Sequence, residues 1–380
     1  MRRSYDVAFY MPSLGPLLTR KAASQGGAET QIWLLARGLA TRGYKVCAIV
    51  IDTPPGLPTD FDGVDVILRP PWQGGRGVRG RLAELLVLWR VLAPLDAKVI
   101  VQRGAGLWTG LVALIARIRR RRFVFSSANL SDFKFAELAS TLKEVRSFDL
   151  GVRLASTVVV QTDEQAERCV EKYGRRPVVV RSIAEPAEPR QRSPEAFLWI
   201  GRLTDYKRPE AFVELARALP EERFWLVGMP SPRHPEISRA LERRASGVEN
   251  LELIAPRPRE ELLELYERAV AIVNTADFEG MPNIFLEGWM RGVPALALSH
   301  DPDGVIEANG LGAFAHGSLE ELIELARSLW SSRHDQTDLS ERCRAYAKRE
   351  HSATAVVAGW ITALELPDSA DDDDNGRRQR

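Results

Sequence analysis

The stretch VAIVNTADFEGMPNIFLEGWMRGVPALAL, residues 270–298, decides the fold of this chain. Its two ends, 270–275 and 294–298, are short apolar runs of the kind that form buried strands. Between them, residues 282–291 carry apolar side chains at helical spacing. A strand, a helix and a second strand in this order predict a βαβ unit of a parallel sheet.

Helix signals and two acids mark the middle of this unit. Pro282 suits the first turn of a helix, and Gly292, followed two residues later by a proline, suits its end. Glu279 precedes the helix, whereas Glu287 lies inside it, on the face that it shares with Asn283.

The two glutamates have two interpretations. They can be a capping acid and a solvated helical acid. The helix is otherwise mostly apolar, however, and a carboxylate in such surroundings needs a partner. A carboxylate also accepts hydrogen bonds from two hydroxyls, as sugars and ribose offer them. The N–H groups of Asn283 and Ile284, at the helix start, would attract phosphate. The segment therefore predicts a binding site.

The same alternation of strands and helices runs through the rest of the chain. The predicted strands are 5–11, 45–51, 64–69, 98–102, 122–127, 157–161, 177–181, 197–203, 223–228, 251–255, 270–275 and 294–298. The predicted helices are 28–42, 80–93, 107–121, 163–173, 208–218, 235–245, 259–269, 282–291 and 318–330. We predict an α/β chain of two Rossmann-like, doubly wound parallel-sheet domains, with the cleft between them as the default ligand site.

Length and composition suggest the domain boundaries. A chain of 380 residues exceeds one ordinary core, so two domains are expected. A proline-rich stretch with little apolar content separates the two series of strands, and linkers have this composition. The predicted organisation is an N-terminal domain over 1–182, a linker over 183–196, a second domain over 197–350, a C-terminal helix over 351–366 that returns to the first domain, and a disordered tail over 367–380.

Several classes of protein lack support in the sequence. No apolar run is long enough for a membrane span, and the N-terminal run reads as a first strand. Cys47, Cys169 and Cys343 are scattered, which favours a reducing, cytoplasmic setting without disulfides. No metal-ligand spacing and no G-x-G-x-x-G dinucleotide fingerprint occur. No nucleic-acid-binding motif accompanies the basic residues.

The net charge of +1 hides an asymmetry between the two halves. Residues 1–180 contain 27 Lys and Arg against 16 Asp and Glu, a balance of +11, and the remainder therefore carries −10. The basic half includes Arg76, Arg79 and Arg81, and then a cluster formed by Arg117, Arg119, Arg120, Arg121 and Arg122. The cluster can cap a helix C-terminus, or it can attract anionic lipid headgroups or a phosphorylated acceptor. Both interpretations remain open.

Two turns carry further candidate residues. Gly26 and Gly27 stand just before a predicted helix, where paired glycines let the backbone approach a ligand, although an ordinary loop would look the same. Arg202 follows a glycine at the end of the strand predicted over 197–203, and Lys207 lies five residues further on. Ligands bind at the carboxyl ends of strands in such sheets, so this pair can neutralise a diphosphate; the alternative is two exposed loop cations.

Four segments carry a resemblance to a known family. NTADFEGMPNIFLEGWMRGVPALAL (274–298), with seven residues between its glutamates, resembles the signature region of the retaining GT-B glycosyltransferases of family 4, the glycosyltransferase group 1 family. IGRLTDYKRPEAFVELARALP (200–220), GGAETQIWLLARGLATRGYKV (26–46) and RPREELLELYERAVAIVNT (257–275) resemble other segments of that family. The resemblance extends over roughly residues 5–365 and is stronger in the second domain.

The resemblance implies a role for each motif. Arg202 and Lys207 would hold the diphosphate of a nucleotide-sugar donor, Glu279 would bind the hydroxyls of its sugar, and Glu287 would bind its ribose. No metal is expected, because the basic pair replaces it, and the nucleotide-sugar is a co-substrate rather than a cofactor. The implied donor-binding residues are Gly26, Gly27, Arg202, Lys207, Glu279, Gly280, Met281, Pro282, Asn283 and Glu287, with Arg202, Lys207 and Glu279 at the reaction centre.

The chain also departs from the family pattern. The histidine expected after the fifth strand of the first domain is absent, and FVFSSANLSD stands there, so Ser126, Ser127, Asn129 or Asp132 would occupy that neighbourhood. Arg103, after the fourth predicted strand, would face the acceptor or the donor phosphate. Asn274-Thr275 replaces the usual Pro-Ser, and the usual Gly-Gly near residue 300 is missing.

Three functions follow from the resemblance and the departures. The leading one is a cytoplasmic retaining transferase for envelope or exported polysaccharide, with a glycan or lipid-linked acceptor and a basic domain at the inner face of the membrane. A nucleotide-sugar 2-epimerase of the same fold fits the basic pair and spaced glutamates less well. A non-catalytic nucleotide-sugar-binding scaffold is motivated by the missing histidine.

Overall fold

The computed structural model describes residues 3–19, 26–51, 56–57, 59–71, 78–135, 141–231 and 234–367. Arg76 and nearly all of the predicted tail lie outside these residues. The chain forms two compact units. Unit 1 extends to Arg181 and includes the segment from Ala353 onward, and unit 2 contains Ser182–Ser352.

Unit 1 is built around an eight-stranded sheet of order β3-β4-β2-β1-β5-β6-β7-β8. Its pairings are parallel except for that of β3 with β4. The strands are β1 Ser4–Tyr10, β2 Val46–Ile51, β3 Asp60–Phe61, β4 Val64–Arg69, β5 Asp96–Arg103, β6 Arg122–Ser126, β7 Thr157–Val160 and β8 Val178–Val179. The helices are α1 Gly15–Leu18, α2 Gly27–Thr41, α3 Val78–Leu92, α4 Thr109–Ile118, α5 Leu142–Leu154 and α6 Asp163–Tyr173.

Unit 2 is built around a six-stranded parallel sheet of order β11-β10-β9-β12-β13-β14. The strands are β9 Ala196–Arg202, β10 Phe224–Met229, β11 Leu251–Ile254, β12 Ala269–Asn274, β13 Ala295–Ala297 and β14 Gly312–Phe314. The helices are α7 Pro209–Ala218, α8 Pro235–Ala245, α9 Arg259–Glu267, α10 Asn283–Arg291, α11 Val305–Asn309, α12 Leu319–Ser331 and α13 Thr337–His351. The last helix, α14 Ala353–Ala363, packs against α2 of unit 1.

The sheet of unit 2 is buried on both faces, as its apolar strands predict. One face packs against the rings of Phe285, Trp289 and Tyr346 from α10 and α13. The other face packs in a second cluster in which the rings of Phe197 and Phe224 stack with centroids 5.2 Å apart. The predicted α/β class with two parallel-sheet domains is confirmed.

Each predicted strand and helix is present, with shifts of a few residues at its ends. The helix predicted over 107–121 is shorter, Thr109–Ile118, because the backbone leaves the helical region at Arg120, where φ is +55°. The short elements β3, β14, α1 and α11 were not predicted, and neither were the longer helices α5 and α13. Helix α13 is highly polar and buries little more than Cys343, Tyr346, Ala347 and His351, so few apolar residues mark its periodicity. Helix α5, by contrast, carries apolar residues at helical spacing, including the buried Phe148 and Val152, so its pattern does indicate a helix.

The arginine cluster of unit 1 divides into two groups. Arg121 donates to the backbone carbonyls of Leu92 and Ala93 and thus caps the end of α3, as the capping interpretation predicts. Arg122 donates to the carbonyl of Leu364 at 2.6 Å and pairs with Glu365 at 3.2 Å. These two side chains are therefore committed to bonds within unit 1, which corrects the expectation that all five arginines form one anion-binding surface.

The ends of α10 differ slightly from the prediction. Pro282 is the N-cap residue, with ψ of 122°, and the first helical residue is Asn283. Gly292 ends the helix with φ of +79°, as expected for a C-terminal glycine. The carbonyl of Gly292 accepts a hydrogen bond from the hydroxyl of Ser340 at 2.8 Å, which joins α10 to α13.

Replacing Gly292 tests this junction. A Cβ at Gly292 would stand 2.0 Å from the Ser340 hydroxyl, whereas Gly247, with the same φ of +79°, has nothing within 4 Å of its Cβ position. We expect Gly247→Ala to lower the free energy of unfolding by about 1 kcal/mol, the cost of a left-handed alanine. Gly292→Ala should cost about 2–3 kcal/mol, because the hydrogen bond is lost as well.

A double-mutant cycle supplies the control. In a Ser340→Ala background, the cost of Gly292→Ala should fall towards that of Gly247→Ala, as measured by urea unfolding, with a remainder from the Cβ and carbonyl oxygen of residue 340, which stay 3.1 and 3.2 Å away. Equal costs of Gly292→Ala in both backgrounds would contradict the proposed clash.

Candidate active site

A buried ion pair lies beyond the carboxyl ends of two central strands of unit 2. Lys207 closes a single helical turn, Asp205–Lys207, that follows β9. Its ammonium group contacts the carboxylate of Glu279, which follows β12. The side chains are 19% and 7% exposed. Strands β9 and β12 are neighbours in the sheet, so the loops after them meet.

Backbone and hydroxyl groups join these two loops. The hydroxyl of Thr275 donates to the carbonyl of Lys207 at 2.7 Å and accepts from the indole nitrogen of Trp199 at 3.0 Å. The N–H group of Asp277 donates to the carbonyl of Tyr206 at 2.9 Å. Thr275 therefore connects the core of the unit to the loop that carries Lys207. The departure from the usual Pro-Ser keeps a hydroxyl where the loop needs one.

Two further contacts fix the same loops. The rings of Tyr206 and Phe278 stack with centroids 4.9 Å apart. Arg208, held at φ of +46°, pairs with Asp277 at 3.1 Å and donates to the hydroxyl of Ser299 at 3.3 Å. Because both loops are held at several points, Lys207 and Glu279 face each other in a fixed arrangement.

The charge of Lys207 is poorly solvated. Burial lowers the pKa of its ammonium group to about 7, and the positive charge of Arg202 acts in the same direction. The adjacent carboxylate of Glu279 opposes both effects. Arg202 is the last residue of β9 and is exposed. The site thus places two cations close together, and one of them gains from any additional negative charge.

The turn after Glu279 is buried. Gly280, Met281 and Pro282 are all shielded from solvent and lead directly into α10 at Asn283. The N–H group of Phe285 is used within the first turn of the helix, where it bonds to the carbonyl of Pro282 at 3.1 Å. The backbone of this turn is therefore held close to Glu279.

Glu287 has the partner that its apolar surroundings require. The hydroxyl of Tyr266, a residue 1% exposed at the end of α9, donates to the carboxylate of Glu287 at 2.6 Å. Glu287 itself is half-buried on α10. Tyr266 could not be recognised as a site residue from the sequence, because a tyrosine in a helix is usually a core residue. Its hydroxyl orients one carboxylate oxygen of Glu287.

His300 is a second residue to which the sequence assigned no role. It follows β13, is buried, and makes a hydrogen bond with the backbone of Gly280. Burial lowers the pKa of its imidazole to about 4, so the ring is neutral near pH 7. Within the described residues its Nε2 atom is buried without a hydrogen-bond partner. His300 therefore supports the turn that follows Glu279.

The remaining predicted residues lie in unit 1. Gly26 is the N-cap of α2, and Gly27 is its first residue. Arg103 ends β5 and donates to the hydroxyl of Ser126 at 3.1 Å. Burial lowers the pKa of Arg103 to about 10, and the charges of Asp132 and Glu29 oppose this shift.

Asp132 is saturated with hydrogen bonds. Its carboxylate accepts from the hydroxyl of Ser127 at 3.0 Å and from the N–H groups of Ala105 and Ala128 at 2.9 and 2.7 Å. The side chain of Asn129 caps the turn that contains Asp132. Burial nevertheless raises the pKa of Asp132. Ser127 and Asp132 are buried and tie together the loops after β5 and β6, whereas Arg103 and Asn129 stay partly exposed.

Two Rossmann-like parallel-sheet units, with a cation-carboxylate pair at the carboxyl edge of the second sheet, place the chain in the class of two-domain α/β proteins that bind ligands at such edges. Residues 26–184 match the family described as "Glycosyl transferase 4-like domain", and residues 194–332 match "Glycosyl transferases group 1". The chain therefore belongs to the group 1 glycosyltransferases of family 4, and the resemblance seen in the sequence is confirmed.

Two relatives that are named as glycosyltransferases resemble the chain in sequence. The chain is 26% identical to a D-inositol 3-phosphate glycosyltransferase of Kribbella flavida, over 77% of this chain and 78% of that protein. It is 25% identical to one of Nocardiopsis dassonvillei, over 92% and 90%.

Structural neighbours show the GT-B fold. Anabaena HepE in complex with UDP and glucose superposes with a TM-score of 0.72 at 16% identity, over 96% of this chain and all of that chain. WaaG, a glycosyltransferase involved in lipopolysaccharide biosynthesis, superposes with a TM-score of 0.69 at 17% identity, over 94% and 99%. In the part of the chain that the structure describes, none of the helices combines the length and hydropathy needed to cross a bilayer.

Thr275 provides a test of how the Lys207 loop is held. Thr275→Val keeps the side-chain shape but leaves the buried indole N–H of Trp199 and the carbonyl of Lys207 without this partner. We expect a loss of about 1–3 kcal/mol in the free energy of unfolding. Thr275→Ser, which keeps the hydroxyl, should lose less than half of that in urea unfolding. Equal losses in the two variants would show that the methyl group matters and the hydroxyl does not.

Proposed function

We propose that this chain is a retaining, metal-independent glycosyltransferase that transfers a sugar from a nucleotide-diphosphate-sugar to an acceptor hydroxyl. The observation that carries the proposal is the buried pair of Lys207 and Glu279 beside Arg202, at the carboxyl edge of a parallel sheet. Carboxyl edges of such sheets are where nucleotide ligands bind. HepE was solved with UDP and with UDP and glucose, which supports a nucleotide-sugar donor for this chain.

The donor is held by unit 2 in this proposal. Arg202 and Lys207 bind the diphosphate, and Glu279 accepts hydrogen bonds from sugar hydroxyls. Glu287, oriented by Tyr266, accepts from the two ribose hydroxyls. The buried turn of Gly280, Met281, Pro282 and Asn283 supplies backbone N–H groups near the phosphates.

The ion pair has a part in donor binding. In the structure the ammonium group of Lys207 contacts Glu279. An arriving diphosphate brings negative charge to the two cations, which stabilises the charged form of Lys207. Lys207 then shares its hydrogen bonds between the phosphate and Glu279, and a carboxylate oxygen of Glu279 turns to the sugar.

The reaction needs no protein nucleophile. The bond between the anomeric carbon and the diphosphate oxygen breaks, and the acceptor oxygen bonds to the same face of that carbon. The acceptor proton passes to the departing phosphate oxygen, so the charges balance on the nucleoside diphosphate. Arg202 and Lys207 stabilise the negative charge that develops on this leaving group. The protein contributes position and charge, and Glu279 acts as a binding residue rather than a base.

The acceptor is held by unit 1 in this proposal. Arg103 is a partly exposed cation with a buried Nε atom that lacks a partner among the described residues. It contacts a phosphate or hydroxyl of the acceptor, and Asn129 lies on the adjoining loop. Ser127 and Asp132 position that loop, and Gly26 and Gly27 allow close approach of a ligand to α2. The D-inositol 3-phosphate named for the relatives supports an acceptor that carries phosphate.

The product belongs to cell-envelope or exported glycan synthesis in this proposal, as the lipopolysaccharide role named for WaaG supports. The enzyme works in the cytoplasm at the inner face of the plasma membrane, on a glycan or lipid-linked acceptor. Arg117, Arg119 and Arg120 are the arginines of the cluster that remain exposed to attract an anionic surface.

The lowered pKa of Lys207 predicts proton uptake on donor binding. A lysine whose free pKa is about 7 is largely neutral at pH 8, and the diphosphate restores its charge. Donor affinity should therefore fall as pH rises above 7, by at most about tenfold per pH unit. Calorimetric titration with UDP-glucose in two buffers of different ionisation enthalpy measures the proton uptake. Lys207→Arg, which stays charged, should bind without proton uptake, and uptake by that variant would contradict the assignment.

A substitution at Glu279 tests its proposed role in sugar transfer. Glu279→Gln keeps the shape of the side chain and removes the charge that faces Lys207 and the sugar. We expect transfer to fall by about 10²–10³-fold, the range for losing one charged contact that strengthens in the transition state. Glu242→Gln, an exposed change on α8, should leave turnover unchanged.

The assay follows donor consumption and product by NMR, over a panel of UDP- and GDP-sugars with phosphorylated and lipid-linked acceptors. The anomeric coupling of the product should match that of the donor. Inversion of the anomeric configuration would refute the retaining mechanism. Donor binding without transfer to any acceptor of the panel would favour the non-catalytic scaffold, and epimerised donor would favour the epimerase.

A further inference from the structure

Helices α3 and α4 of unit 1 leave an apolar face open to solvent. Leu82 and Leu86 of α3 are 53% and 55% exposed, and Trp89 follows on the same side of the helix. Ile118 of α4 is 55% exposed, with Leu114 one turn before it. These side chains line a groove of about 470 Å³ whose walls are only leucine, isoleucine and tryptophan.

This exposure is concentrated rather than scattered. Of the eleven large apolar residues exposed in the described chain, five lie on this face. Isolated exposed apolar residues are normal on a protein surface, but a contiguous group marks a place where something binds. The two helices pack their other sides into the core through residues such as Leu88 and Ala113.

Arginines stand at one end of the face. Arg121 bonds to the carbonyls of Leu92 and Ala93, so the C-terminal ends of α3 and α4 lie together. Arg90 and Arg117 lie in the last turns of these helices. Arg119 and Arg120 follow directly, and all four side chains are exposed with no ion pair or hydrogen bond among the described residues.

No acid balances these arginines within the two helices. The one acidic residue of 78–92 and 109–122 is Glu84, which is buried and paired with Arg69 at 2.5 Å. The face is therefore apolar along its length and cationic at one end. That combination matches the surface of an anionic bilayer, where apolar groups enter the acyl boundary and arginines reach the headgroup phosphates.

We propose that the α3–α4 face, formed by Leu82, Leu86, Trp89, Leu114 and Ile118 with Arg90, Arg117, Arg119 and Arg120, docks onto an anionic lipid bilayer. The leucines, the isoleucine and the tryptophan insert at the level of the headgroups, and the arginines bind lipid phosphates. This inference deepens the proposed peripheral association by adding an apolar insertion surface that the arginine cluster alone did not predict.

A second copy of the chain is a poorer occupant. In a symmetric dimer the same patch meets itself, so the arginines of one copy would approach those of the other. Neither helix has an exposed acid to pair with them. An acidic protein remains as the alternative that the experiment separates from lipid.

The experiment measures binding of the full chain to vesicles by co-sedimentation, without donor or acceptor. Vesicles of phosphatidylcholine alone are compared with vesicles that also contain phosphatidylglycerol. Leu86→Gln with Ile118→Gln tests insertion, and Arg117→Glu with Arg119→Glu tests charge. The matched controls lie in unit 2: Leu253→Gln for an exposed apolar residue, and Arg239→Glu with Arg243→Glu for exposed arginines.

The wild type should bind the anionic vesicles and bind the neutral ones far more weakly. Each double variant on the face should weaken binding at least about tenfold, while the controls bind as the wild type does. Anionic vesicles should shift the tryptophan emission of the wild type to shorter wavelength, and Trp89→Phe should remove most of that shift. Thermal unfolding of each variant confirms that it is folded.

Wild-type-like binding by the Leu86→Gln, Ile118→Gln variant would overturn the insertion surface. Absence of wild-type binding to anionic vesicles would overturn the proposal as a whole and leave an acidic protein as the occupant. A dimer in ultracentrifugation that the same variant dissolves would identify a second copy instead. Because no sugar transfer is measured, any of these results leaves the proposed transferase reaction standing.

Discussion

The contact of Lys207 with Glu279 depends on the neighbouring positions of β9 and β12, and much of the site depends on that contact. Parallel strands end at the same edge of a sheet, so loops that follow adjacent strands meet there even when they lie some 70 residues apart in sequence. A buried ammonium group loses solvation and needs a carboxylate or another anion beside it. Thr275 fixes the loop of Lys207 to the core through Trp199, and this placement makes the ion pair a rigid feature.

Holding the ammonium group of Lys207 in a buried position costs solvation energy, and an anionic ligand can offset that cost. Burial and, to a lesser extent, the charge of Arg202 lower the pKa of Lys207, and the carboxylate of Glu279 contacts its ammonium group. In the proposed donor complex, a diphosphate beside the two cations would supply further negative charge. The neutral ring of His300 supports the turn at Gly280 without adding a positive charge of its own. The site is thus arranged to favour an anion over water.

The sequence predicted most of the elements and proposed candidate site residues, but it did not reveal most of the contacts that these residues make. Most strands could be predicted because each is a compact apolar run, whereas the short β3 and β14 carry no such run. Glu279, Glu287, Arg202 and Lys207 were proposed as site residues from their positions after strands and beside a helix start, together with the family resemblance. The contact of Tyr266 with Glu287 could not be predicted, because it joins α9 to α10 across a distance that depends on packing. Helix α13 escaped prediction because its polar sequence carries little periodicity, whereas α5 has apolar residues at helical spacing and could have been predicted.

The arginine cluster shows why a charge run is an ambiguous signal. In the sequence, the five arginines within six positions cannot be told apart. In the structure, Arg121 caps α3 and Arg122 bonds to Leu364 and Glu365, while the others face solvent. The capping arginine also brings the ends of α3 and α4 together, and so places the free arginines beside the exposed apolar stripe. Neighbouring arginines of one run therefore have different roles: Arg117 and Arg119 face solvent, whereas Arg121 and Arg122 form structural bonds. The chain turns between these two pairs because Arg120 has a left-handed backbone conformation.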